Sequence, residues 1–143
     1  MQLVKILKIT PIGKPRMNHS DAWKKPPRVQ RYWEYKDKLR GMMRAEELPV
    51  PYLLLFVVPM PKSWSKRKKA LMRFEVCESK PDKDNAEKAF LDALFDEDKQ
   101  ITDGRVAKIW GDEGEIRVFK IAPLPHRQLA TQREGTQSFL PAK

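Results

Sequence analysis

Four residues in the middle of the chain have types and spacing suited to chemistry on a phosphate: Asp82, Asp84, Lys88 and Asp98. The first two sit in Lys80-Pro81-Asp82-Lys83-Asp84-Asn85. Lys88 follows, and Asp96-Glu97-Asp98 lies farther on. Pro81 disfavours the α conformation at Lys80, so the chain arrives extended. In an extended or half-extended approach, positions i and i+2 share a face, so Asp82 and Asp84 could share one cation. Lys88 lies one helical turn past Asp84, on the same side. A return of the chain could bring Asp98 back to the pair. Mg2+ takes octahedral oxygen ligands, a few carboxylates completed by water and phosphate oxygens. Two or three aspartates with open positions supply that chemistry. An ordinary alternative uses the same residues. Asp84-x-x-Glu87 matches a capping box, with a cap worth about 0.5–2 kcal/mol. Asp82 and Asp84 also suit a helix dipole, and Lys88 could be only an i+4 partner of Asp84. Capping accounts for one aspartate but not for a second acid two residues away and a third group beyond the helix. On the residues alone both readings stand.

The elements that must position these groups follow from periodicity. Asp82 or Asp84 opens a helix with Ala86, Ala89, Phe90, Ala93 and Leu94 on one face. Upstream, Val4 and Ile6, with Ile9 as an optional extension, mark a first strand, closed by a turn at Pro11-Ile12-Gly13. Lys14 to Arg28 is rich in Pro and basic residues and reads as a loop. Gln30 to Glu47 reads as a helix, ended by Pro49 and Pro51. Tyr52 to Val58 is a continuous apolar run, expected as a central strand buried on both faces. Ser63 or Ser65 caps a short basic helix reaching Met72, and 74–81 is a loop or short extended piece. Arg105–Trp110 and Glu115–Ile121 are two strand-like runs, with Gly111-Asp112-Glu113-Gly114 between them as a hairpin signal. The order β-α-β-α-α-β-β predicts a single α+β domain over 1–121: a mixed β-sheet flanked by helices, ending in a hairpin. Residues 122–143 have no period and read as a flexible tail. No repeat and no Gly-rich phosphate loop is present.

Charge narrows the function class. The 143 residues carry 29 Lys and Arg against 19 Asp and Glu, a net +10. Residues 14–44 hold a local +7 and 62–73 a local +6, whereas 82–103 hold −5. A protein that only coats nucleic acid gains nothing from the acidic block, because carboxylates repel phosphates. A metal-dependent enzyme on nucleic acid needs both parts. The bland reading is an acidic helix face. At 41% apolar and 34% charged, the chain fits neither a disordered nor a membrane protein. Its longest apolar run falls far short of the about 20 residues of a membrane span. The opening MQLVKILKIT alternates like a strand, unlike a signal peptide. Cys77 is the one cysteine, so no internal disulfide forms, and no Cys/His cluster offers a zinc site. A soluble protein of a reduced compartment is expected. His19 and His126 receive no role.

KPDKDNAEKAFLDAL followed by DEDKQITDGRV resembles the RusA-type Holliday junction resolvases of phages and prophages. That family carries K/R-P-D-x-D-N, a lysine shortly after, and D-x-Q-[IV] beyond the helix. Here these are Asp82, Asp84, Asn85 and Lys88, then Asp98-Lys99-Gln100-Ile101. Ile12-Gly13-Lys14-Pro15-Arg16-Met17 and Met60-Pro61-Lys62-Ser63-Trp64-Ser65 resemble the family's N-terminal and middle segments. The resemblance spans residues 1–121. Glu97 stands where an Asp is common, and Lys83 where an apolar residue is common.

The resemblance implies a homodimeric, Mg2+-dependent endonuclease (Mn2+ able to substitute) acting on four-way DNA junctions in recombination and repair. It needs no small-molecule cofactor and works in the cytoplasm of a bacterial host. Asp82, Asp84 and Asp98 match the metal-binding acids, and Lys88 the catalytic lysine. Candidates for backbone contacts are Lys14, Arg16, Lys24, Lys25, Lys66, Arg67, Lys68 and Lys69, any of which could equally be solvated surface. Phe56, Phe74, Trp64 and Trp110 are open as core or dimer contacts. Trp23 and Trp64 are open as ordinary packing or as an aromatic wedge at the junction centre. The alternatives in function are a less selective branched-DNA or flap nuclease, and a non-catalytic basic nucleic-acid-binding module.

Overall fold

The structure is a computed structural model and describes residues 1–134. Its elements run β1 (Gln2–Leu7), α1 (Asp21–Lys24), α2 (Pro27–Met42), β2 (Tyr52–Pro59), α3 (Lys66–Met72), α4 (Lys83–Leu94), β3 (Gly104–Gly111), β4 (Glu115–Lys120) and α5 (His126–Thr131). A 3-10 turn lies at Ala45–Glu47. The architecture is α+β, one domain with a mixed four-stranded sheet in the order β1-β4-β2-β3. β2 pairs with β3 in parallel and with β4 antiparallel, and β1 pairs antiparallel with β4.

β2 takes the centre because it is the most apolar strand. Its Tyr52, Leu54 and Phe56 are buried with Leu7, Ile116 and Val118 under α2 and α4. α2 presents Val29, Tyr32, Tyr35 and Leu39 to this core, and α4 presents Ala86, Ala89, Phe90 and Ala93. Phe90 meets Phe56 edge to face, 6.5 Å between centroids. On the other face Leu53 and Leu55 are only partly buried while Val57 is buried, so the burial on both faces expected of this strand is complete only toward its C-terminal end. At the far end, Val58, Met60, Cys77 and Trp110 form a second cluster with Trp64 and Met72. Ser65 caps α3 by accepting from the Lys68 N–H. Residues 74–77 run along the outer edge of β3, with Phe74 N–H donating to Trp110 O and Cys77 N–H to Lys108 O. This covers part of an otherwise open sheet edge.

The expected terminal hairpin does not form. β3 and β4 are separated by β2, which pairs with both. The connection 112–114 steps across the end of β2 instead of folding back. Its flanking glycines serve close approach. A Cβ on Gly111 would come within 2.3 Å of Val57 Cγ1, and one on Gly114 within 2.1 Å of Thr10 Oγ1. The parallel β2–β3 pair needs a long crossover, which α3 and α4 provide.

Helix limits also differ from the periodic reading. The basic 14–28 stretch holds α1 and the start of α2, because Pro27 at the first helical position lacks only an N–H that a helix start leaves unbonded. α2 ends at Met42, and the acidic residues after it form the separate 3-10 turn. In the segment read as a tail, α5 forms and His126 Nε2 lies 3.6 Å from Asp103 Oδ2. The rest of that segment, 135–143, lies outside the described residues. Among the described residues no helix is long and apolar enough to cross a membrane.

Candidate active site

The buried face of α4 determines what its other faces can do. With Ala86, Ala89, Phe90 and Ala93 packed inward, helical spacing puts Asp84, Glu87, Lys88 and Leu91 on one neighbouring stripe. The start of the helix is held from several sides. Lys108 Nζ donates to Ser79 O at 2.5 Å and to Pro81 O at 2.7 Å. Lys14 N–H donates to Asn85 O at 3.4 Å. Gly13 lies so close that a Cβ there would sit 3.4 Å from Asn85 Cβ and Pro81 Cβ. The basic loop is thus laid on the head of the acidic helix.

Asp82 is the N-cap residue, extended at φ −63° and ψ 144°, and its side chain makes no cap hydrogen bond. The Asp84–Glu87 capping box does not form either, because Asp84 already lies inside the helix, and Glu87 accepts from the Tyr52 hydroxyl. The Tyr52 hydroxyl is pushed far above its ordinary pKa by burial first, then by this bond and by the charges of Glu87, Asp98 and Asp103. It therefore remains a donor. The side chains of Asp82, Asp84 and Asp98 are exposed and make no hydrogen bond or ion pair among the described residues.

A cavity of about 360 Å³ brings Lys88 and Asp98 together, with Tyr52, Glu87 and Asp103 in its wall. Lys88 also borders a neighbouring hollow with Lys14, Arg16 and Asn85. Lys14 and Asn85 in turn share a third with Asp82. Through these shared lining residues the three hollows adjoin one another along α4, and together they make up the cleft. Asp84 is on the exposed stripe one turn before Lys88. The i, i+2 relation expected of an extended approach is interrupted, because only Asp82 is extended and Asp84 is already helical. Among the described residues, no three His, Cys, Asp or Glu side chains gather as a group able to hold a metal ion. The donor chemistry of Asp82, Asp84 and Asp98, unengaged hard oxygens, suits a hard divalent cation.

Of the basic candidates, Lys14 and Arg16 line the cleft. Lys24 and Lys25 are exposed at and just past the end of α1. Lys66, Arg67, Lys68 and Lys69 belong to α3, where Lys68 Nζ lies 4.3 Å over the Trp64 ring. That side of α3 borders a separate hollow with Val76 and Trp110. Trp64 packs edge to face on Trp110, 4.9 Å between centroids, which makes both part of the second cluster. Phe56 is core and Phe74 is exposed.

The sequence reading missed three groups of the cleft and its support. Glu87 had a signal, its place on the Lys88 stripe, but was read as a capping partner. Tyr52, far away in sequence, had none. Asp92, left without a role, accepts from the Tyr32 hydroxyl and pairs with Lys36 at 3.2 Å and Lys14 at 3.8 Å. Burial opposes its charge, but these three partners outweigh burial and hold the carboxyl below its ordinary range. Asp92 thereby ties the basic loop and α2 to α4.

Residues 8–119 match the family described as endodeoxyribonuclease RusA. No curated protein and no solved structure matches the chain. The family match runs from the end of β1 into β4 and so includes every element that builds the cleft. Coming after a cleft that joins basic loop and acidic helix, it settles the affiliation: the chain belongs to the RusA endodeoxyribonuclease family, enzymes that hydrolyse DNA.

Proposed function

We propose that this chain is a Mg2+-dependent endonuclease that resolves four-way DNA junctions in recombination and repair, working as a homodimer. The observation that carries the reading is the cleft along α4, where Lys88 and Asp98 share one cavity and the Lys14–Arg16 loop forms the adjoining wall. Asp82, Asp84 and Asp98 are the residues that would hold the cation. When bound, it would polarise the scissile phosphate and acidify a water. Lys88 stabilises charge developing on the phosphate or the leaving oxygen. Lys14 and Arg16 hold the DNA backbone beside it by charge. A C2 dimer supplies two related sites for two symmetric strands.

The test is cleavage of a synthetic four-way junction in Mg2+, alongside flaps, forks and linear duplex. Wild type is expected to make paired, symmetric nicks in the junction and to cut the other forms poorly. Asp82→Asn and Asp98→Asn are expected to lose cleavage, retain junction binding, and keep the wild-type melting midpoint. Wild-type-like cutting by either variant overturns the site. Equal cutting of flaps and forks overturns junction selectivity and leaves the flap-nuclease reading. Sedimentation at micromolar protein checks the dimer.

A further inference from the structure

We infer that Trp23 is a base-stacking residue that reads an unpaired or unstacked base next to the branch point, and so determines selectivity for branched over linear DNA. The inference rests on the proposed DNA substrate and extends it to a residue outside the cleft.

Trp23 is 72% exposed, the most exposed of the tryptophans. Among the described residues it makes no aromatic or cation–π contact, in contrast to Trp64, which is seated between Trp110 and Lys68. An indole left in water keeps apolar area whose burial against a partner would favour binding.

The short helix carrying Trp23 is tied down on both sides. Buried Asp21 accepts from the Asn18 N–H at 2.9 Å and pairs with Arg28 at 3.0 Å. At the other end, Gln30 Nε2 donates to Lys25 O at 2.5 Å. The ring is therefore presented from a braced knuckle, which lowers the ordering cost of a contact made there.

The knuckle adjoins the active cleft. Arg28, the partner of Asp21, also donates to Arg16 O at 3.3 Å, and Arg16 lines the cleft with Lys88. Lys24 and Lys25 follow Trp23 directly, and both are exposed. A π-face among cations fits nucleic acid: the cations take the phosphates and the ring takes a base. Bases in a continuous duplex are stacked on each other and offer no free face. At a branch point stacking is interrupted, so the ring favours branched DNA.

The experiment measures binding of wild type, Trp23→Ala and Trp23→Phe to a four-way junction and to linear duplex of the same sequence. The junction carries 2-aminopurine beside the branch. Stacking of the size seen for single bases predicts that Trp23→Ala weakens junction binding about tenfold or more and leaves duplex binding within about twofold. Quenching of the 2-aminopurine signal on binding should be lost in Trp23→Ala and largely kept in Trp23→Phe. A wild-type junction-to-duplex ratio in Trp23→Ala overturns the inference alone. A wild type with no junction preference overturns both the inference and the proposed function. Conversion of Trp23→Ala from dimer to monomer would assign the ring to an interface with a second copy and overturn the inference as well. Circular dichroism of each variant checks folding, and loss of structure in Trp23→Phe as well as Trp23→Ala would make the ring a folding residue and overturn base reading.

Discussion

At the residue scale, the cleft assigns Lys88 a position that Asp84 pairing alone would not require, since it faces Asp98 across a cavity and Arg16 across the next. Replacing Lys88 with Met keeps the aliphatic stem and removes the charge. Loss of one such stabilising donor lowers turnover by about 10²–10³, so single-turnover cleavage should fall by about that factor while junction binding changes little. A variant cutting at the wild-type rate would show that Lys88 is surface only. Asp92 makes a different prediction. Its carboxyl is held below the ordinary range by Tyr32, Lys36 and Lys14 against the effect of burial. A lowered folded pKa adds stability above the unfolded value of about 3.9 and loses it as pH falls through the folded one. Wild type should therefore be more stable than Asp92→Asn near neutral pH. The two melting midpoints should converge as pH drops below about 4. A constant gap down to pH 2 would show that the ion pairs carry none of the difference.

At the element scale, two glycines separate close packing from helix propensity. Gly104, at the start of β3, leaves room for the Tyr52 ring, and a Cβ there would lie 2.4 Å from two ring carbons. Gly104→Ala must displace Tyr52 and with it the hydroxyl that Glu87 accepts. Overpacking of this kind costs about 1–3 kcal/mol. Gly41, in the last turn of α2, has nothing within 4 Å of a Cβ. Gly41→Ala is expected to stabilise by up to about 1 kcal/mol through helix propensity. Urea midpoints read both, and the same sign for the two substitutions would overturn the argument. The 111–114 connection teaches the same lesson. A Gly-x-x-Gly stretch between strand-like runs carries a local turn signal, yet its glycines answer to Val57 and Thr10, which only the assembled sheet brings near.

At the scale of the whole molecule, the net +10 is divided between surfaces. Lys14 and Arg16 adjoin the acidic cleft, Lys24 and Lys25 flank the Trp23 knuckle, and the α3 cations border another hollow. Binding that neutralises phosphates releases counterions, so junction affinity should fall steeply with salt. A residue that contacts one phosphate should reduce the salt slope by about 1 on a log–log plot when removed. Lys14→Ala and Arg16→Ala are expected to do so in electrophoretic binding assays at several salt concentrations. An unchanged slope in both would remove the loop from the DNA contact surface.

The sequence by itself determined the amphipathic helix α4, the apolar strand β2 and the positions of Asp82, Asp84 and Lys88 at the start of that helix, whereas the hollow that Asp98 shares with Lys88 is a product of the fold. The helix, the strand and those three positions follow from local periodicity, which a single chain segment carries within itself. The sequence also carried the family resemblance, because that resides in short ordered motifs. Only the tertiary structure decided the neighbours of those segments. β2 lies between β3 and β4 because its apolar run takes the most buried place in the sheet, and this removes the expected hairpin. Tyr52 meets Glu87, and Asp92 meets Tyr32, Lys36 and Lys14, across stretches of chain that no local pattern spans. Trp64 and Trp23 are alike as letters, but packing seats one against Trp110 and leaves the other in water, since burial is a property of the assembled core and not of the residue.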